Sequence, residues 1–143
     1  MTSKLNIEHL LNALENEDNA SVIKLNYNKI ASDKNNILQQ LHLQKEQLKT
    51  IIKQLKLYRL IDNIDELLYG NYIRWISLKS NSIIKLTNGG LICHIKQVNE
   101  NIHLICKNNF GQLFQLNMSE NIIFQKLNQQ EQVILSALKH LES

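Results

Sequence analysis

Apolar residues recur at alternating spacings of three and four across residues 20–58, and this stripe predicts the element around which the chain is arranged. Written as heptads, position a falls on Ala20, Tyr27, Lys34, Leu41, Leu48 and Leu55, and position d on Ile23, Ile30, Ile37, Gln44, Ile51 and Tyr58. No Pro or Gly interrupts the run, so the spacing predicts one long helix that winds around others. Leu at a with Ile at d favours trimers or tetramers over dimers, while the polar seam residues Lys34 and Gln44 pin register. The oligomerisation seam is then Ile23, Tyr27, Ile30, Ile37, Leu41, Gln44, Leu48, Ile51, Leu55 and Tyr58. The same stripe also fits a helix folded back on an N-terminal helix within one chain, as a helical hairpin.

Upstream, Ile7, Leu10, Leu11 and Leu14 predict a short helix over 6–15 capped by Asn6, with Asn19 or Ser21 capping the long helix. Past Tyr58 the stripe changes phase to Leu57, Leu60, Ile61, Ile64, Leu67 and Leu68, as a new short helix capped by Asp62 or a change of buried face. Gly70 closes this half with a left-handed residue. From Tyr72 the period falls to two, and 72–78, 83–87, 91–97, 102–106, 112–116 and 121–125 read as short strands.

Asn88-Gly89-Gly90 predicts a tight hairpin in which Leu86 faces Cys93 and Ile84 faces Ile95. The next hairpin sets Ile95 opposite Leu104 and Cys93 opposite Cys106, so Ile84, Leu86, Leu91, Cys93, Ile95, Ile102, Leu104 and Cys106 form one interior face. A last helix over 128–141 opens with a capping box, Asn128 with Glu131. The expected fold is α+β: a helical oligomerisation region over 1–69, then over 70–143 a five- to six-stranded antiparallel small barrel with a C-terminal helix.

Composition narrows the function classes. The formal charge of +3 from 16 Lys and Arg against 13 Asp and Glu is too small to require a polyanion, but the charge is unevenly placed. Glu8, Glu15, Glu17 and Asp18 mark the start of the chain, whereas Lys45, Lys49, Lys53, Lys56 and Arg59 stand together with Glu46 alone. No apolar run reaches the length of a membrane span and no start resembles a signal peptide, so the expectation is a soluble protein that is not secreted. Two Cys, without His or Cys at zinc spacing, predict buried thiols in a reducing compartment and no metal site. The absence of Pro and the wealth of Asn, Ile and Lys match the codon usage of an AT-rich genome.

Tyr69-Gly70-Asn71-Tyr72-Ile73-Arg74-Trp75-Ile76, then Leu86 to Leu91 with its Gly89-Gly90 pair, then Ile122-Ile123-Phe124, resembles a pattern in small proteins of large AT-rich DNA viruses that join a coiled coil to a small barrel. The resemblance covers residues 69–125, and Phe114-Gln115-Leu116 stands where such proteins usually carry a Trp-containing strand. It implies a small-barrel adaptor or a virion-associated protein, placed in the host cytoplasm or the virion, and brings no catalytic residues.

Candidate chemistry lies in two basic clusters. Lys45, Lys49 and Lys53 repeat every fourth residue, with Lys56 and Arg59 following, and a phosphate backbone would turn their mutual repulsion into attraction. On the sheet, alternation sends Lys85, His94, Lys96 and His103 to the face opposite the cysteines, with Lys85 beside His94 and Lys96 beside His103. The plain alternative for both is a solvated basic surface, and the last helix is a candidate to cover the second. Trp75 reads as core or interface before it reads as a platform for stacked bases. Phosphate-loop, nucleophile-elbow, zinc-protease and dinucleotide motifs are all missing from the sequence, and no cofactor is expected. The leading expectation is a non-enzymatic, oligomeric nucleic-acid-binding protein with DNA as its partner. The alternative is a structural or adaptor protein that binds other proteins through the barrel or the last helix.

Overall fold

The apolar stripe over residues 20–58 does not become one helix. The computed structural model describes residues 7–79 and 83–142, and among them the stripe folds as three helices and a strand. These are α2 (Ala20–Ile23), α3 (Tyr27–Gln39), α4 (Lys45–Gln54) and β1 (Tyr58–Ile61), preceded by α1 (Ile7–Glu15). Asn26 makes the first break: extended, it accepts a hydrogen bond from the Lys29 amide at 2.7 Å and so caps α3. The second lies at residues 40–44, where His42 takes a left-handed φ of 53° and Gln44 is extended. A left-handed non-glycine costs about 1–2 kcal/mol. Burying each large apolar side chain returns about 1.5–3 kcal/mol. The breaks let Leu25, Leu41 and Leu43 turn towards cores that one straight seam would not reach.

Apart from Ile23 and Gln44, the expected seam is accordingly covered inside a single chain. Ile30 packs with Leu127 and Leu135, while Ile51, Leu55 and Tyr58 join Leu38, Ile76, Leu86, Ile122 and Phe124, flanked by Ile37, Leu41 and Leu48. Tyr27 lies beside the last helix, its hydroxyl 3.3 Å from Ser136 Oγ. Ile23 and Gln44 are exposed. The predicted cap of α1, Asn6, lies outside the described residues. Asn19 makes no side-chain cap, and its amide instead donates to the Ala13 carbonyl and to Gln130 Oε1.

The remaining strands are β2 (Tyr72–Ser77), β3 (Gly90–Val98), β4 (Asn101–Lys107), β5 (Leu113–Asn117) and β6 (Asn121–Lys126), and α5 (Gln129–Glu142) ends the fold. With β1 they form one antiparallel sheet in the order β1-β6-β2-β3-β4-β5. A single 3-10 turn, Met118–Glu120, carries the chain from β5 to β6, and Asn121 Nδ2 donates to the Asn117 carbonyl at 2.8 Å. Strands separated by β2, β3 and β4 in the ladder therefore meet at their ends, which requires the sheet to curl. It stays open: among the described residues no ladder joins the edges β1 and β5, so the closed barrel expected from the sequence is not formed. Across the curl, the rings of Trp75 and Phe114 meet edge to face with centroids 6.5 Å apart.

Two register expectations change for physical reasons. Gly89 and Gly90 do not turn a hairpin between 83–87 and β3; Leu86 bridges Ile76, and the Thr87 amide donates to the Trp75 carbonyl at 3.0 Å. A β-bulge at Cys93 then shifts the alternation, pairing Ile92 rather than Cys93 with Cys106. Ile92, Leu104 and Cys106 are buried with Ile61, Leu67, Ile73, Leu116 and Ile123, whereas Leu91 and Cys93 face out. Ile95 does face Leu104, as the alternation predicts. The capping box of α5 is also formed, Asn128 N to Glu131 Oε1 at 3.0 Å and Glu131 N to Asn128 Oδ1 at 2.8 Å.

Candidate nucleic-acid interface

At 100° per residue, Leu48, Ile51 and Leu55 fix one side of α4 to the core, and an exposed flank next to it carries Lys45, Lys49, Lys53 and, just past the helix, Lys56. All four lysines are exposed, as is Ile52 among them, and Glu46 is the one acid within α4. Lys53 sits in the last turn, where the helix dipole favours a cation, but Lys45 opens the first turn, where it favours an anion. Gln44 supplies no side-chain cap there. The stripe expected from the sequence is thus present as a cationic ridge on a short helix.

What presents the ridge is the connection before it. Residues 40–44 reverse the chain between α3 and α4 through left-handed His42, and Lys34 of α3 reaches across to donate from Nζ to the Leu55 carbonyl at 2.7 Å. Burial pushes the Lys34 ammonium below its ordinary pKa. On its other flank α4 is tied to the segment after β2, Gln47 Nε2 donating to the Ile84 carbonyl at 2.8 Å. Arg74 and Lys85 line a shallow groove of about 430 Å³ there, with Glu46, Thr50 and Gln54 of α4. Arg74 Nε is held by the Thr87 carbonyl at 2.8 Å.

Several expected residues stand elsewhere. Arg59 is buried and committed: Nη1 meets Glu66 Oε2 at 2.7 Å, Nη2 donates to Ser21 Oγ at 2.9 Å, and Nε lies 3.4 Å from Glu131 Oε2. It adds nothing to the ridge. Lys85 stands by α4 rather than beside His94, because 83–87 runs over β2 instead of along β3, and His94 faces Ile105. Lys96 and His103 are cross-strand partners as expected, with His103 Nδ1 3.3 Å from Gln115 Nε2.

Sequence reasoning missed the turn at 40–44 and the approach of Arg74. The turn has a signal: Leu41 and Leu43 lie 200° apart on a helix, so no single helical face buries both. Arg74 has none, since only the path of 83–87 brings it to α4.

Among the described residues no cluster of His, Cys, Asp or Glu is arranged to hold a metal ion, and no helix is long and apolar enough to cross a membrane. No protein-family profile, no curated protein sequence and no solved structure matches the chain.

Proposed function

We propose that this chain is a non-enzymatic DNA-binding protein that seats α4 in the major groove, with α3 and the turn at His42 setting the angle of entry. The observation that carries the reading is the ridge itself: Lys45, Lys49, Lys53 and Lys56 exposed along one flank of a helix anchored by Leu48, Ile51 and Leu55. Two helices joined by a short turn are a common device for offering the second to the major groove. A helix of ten residues rises about 15 Å and fits a groove about 12 Å wide. Lysines at this spacing meet phosphates on the groove's walls, leaving Gln54 to hydrogen-bond base edges, while Thr50, whose hydroxyl donates to the Glu46 carbonyl at 3.0 Å, can only accept.

Four neutralised phosphates give a salt dependence near the fourth power, so affinity for duplex DNA should fall roughly a hundredfold between about 50 and 200 mM salt. Anisotropy of a labelled mixed-sequence duplex measures this. Changing Lys45, Lys49, Lys53 and Lys56 together to Glu should abolish binding while circular dichroism stays unchanged, and no binding by the wild type at low salt removes the reading.

A protein-binding reading has its own support in exposed Phe110, Leu113 and Phe114 at the open edge β5. Changing Phe110 and Leu113 to Ser would leave DNA binding intact and abolish capture of a protein partner.

A further inference from the structure

A second cleft, of about 420 Å³, opens where the curled sheet brings β2 against the end of β5 and the start of β6. It is lined by the half-buried Trp75, Leu116, Gln115, Asn117 and Asn121, and Ser77, His103 and the Lys79–Glu120 ion pair, 3.7 Å apart, complete the lining. We propose that this cleft binds an unpaired nucleobase of single-stranded nucleic acid, stacked on Trp75 and read at its edge by the three amides.

The lining chemistry selects the ligand class. An apolar peptide side chain would want an apolar pocket, but among the described residues Trp75 and Leu116 are the only apolar side chains of the lining. Planar amides, in contrast, pair with base edges through a donor and an acceptor at once, and a base is flat enough to lie on an indole. The amides are partly committed, which fixes their orientation: Asn117 Oδ1 accepts from the Ser119 amide at 3.1 Å, and Asn121 Nδ2 donates to the Asn117 carbonyl at 2.8 Å. Asn117 Nδ2, Asn121 Oδ1 and Gln115 Oε1 are left without protein partners among the described residues, so donor and acceptor groups both remain for a base. Beside the cleft, Lys96, the cross-strand partner of His103 in the lining, supplies positive charge for the attached phosphate.

The site is separate from the α4 ridge and uses none of its residues, so it stands or falls independently of the duplex reading. Trp75 is the one tryptophan of the chain, which makes its emission a direct reporter. Titrating the full chain with hexamers of deoxyadenylate and deoxythymidylate should quench that emission saturably. Quenching should persist in the variant with Lys45, Lys49, Lys53 and Lys56 changed to Glu, whereas Gln115→Ala should weaken it about tenfold. In Trp75→Phe, anisotropy of a labelled hexamer should show a comparable loss, with circular dichroism confirming the fold. No quenching at millimolar hexamer, equal affinity in Gln115→Ala, or quenching by a peptide but by neither hexamer overturns the proposal.

Discussion

Arg59 Nε lies 3.4 Å from Glu131 Oε2, and the two side chains keep only 2% and 1% of their exposure. The contact is one of charge, since neither atom has an aligned hydrogen bond. Through Ser21, Glu66 and Glu131 the guanidinium ties α2, β1, the 3-10 turn Ile64–Glu66 and α5 together. The other Glu131 oxygen closes the cap of α5. A cation that the sequence groups with the basic ridge is therefore part of the frame that supports it.

Replacing Arg59 with Met should cost about 3–5 kcal/mol of stability at neutral pH in urea unfolding, because it leaves a buried carboxylate without its cation. Burial pushes the Glu131 carboxyl above its ordinary value, against the lowering pull of the Asn128 amide and of Arg59. A carboxyl raised in this way binds its proton more readily folded than unfolded. Its stabilising contribution is present below the unfolded value and is lost as pH rises through the folded one. Removing Arg59 accentuates that direction, so the deficit of the variant should be smaller near about pH 5 than near about pH 8. Equal deficits at both would show that Glu131 stays ionised without its partner.

Gly89 and Gly70 separate two costs of a side chain at positive φ. At Gly70, with φ of 81°, a Cβ would have nothing within 4 Å, and Gly70→Ala should cost about 1 kcal/mol from the backbone alone. At Gly89, with φ of 88°, a Cβ would collide with the Ile73 carbonyl oxygen, where the chain crosses β2. Gly89→Ala should cost at least about 3 kcal/mol, read as the difference in urea midpoints at equal slope.

What the sequence reveals and what it hides divide along local and non-local lines. The capping box of Asn128 and Glu131, and the strands around Ile95 and Leu104, rest on neighbours in the chain or on simple alternation, and both are formed. The stripe over 20–58 says which residues are buried but not what buries them, so a seam covered by β2, β6 and α5 looks like one covered by other copies. The bulge at Cys93 inverts the alternation by one inserted residue with no compositional mark. In the candidate site, lysines on α4 are legible because their spacing is helical, whereas Arg59 is told apart from them by Ser21, Glu66 and Glu131, partners that the fold rather than the spacing brings to it.

The bulge gives the cysteines different reactivities. Cys93 is exposed, while Cys106 is buried and its thiol is pushed up to about 12 by burial and by neighbouring Cys93. Near about pH 8 a disulfide-exchange reagent should therefore modify one thiol rapidly and the second only on unfolding. Cys93→Ser should remove the fast phase. Two slow thiols would restore the register in which both cysteines face inward.

His42 tests the break between α3 and α4. Its φ of 53° is a left-handed backbone that glycine adopts without strain, and its side chain is exposed, so little packing is lost on removing it. His42→Gly should stabilise the protein by about 0.5–1 kcal/mol, the relieved strain exceeding the added freedom of the unfolded chain. Were α3 and α4 one continuous helix, the same change would place glycine in a helix interior and cost about 1 kcal/mol. The two arrangements thus differ in the sign of a single measured midpoint shift. Under the proposed DNA-binding function, a stabilised variant with the wild-type affinity for duplex DNA would also show that the turn, rather than the imidazole, presents the lysines of α4.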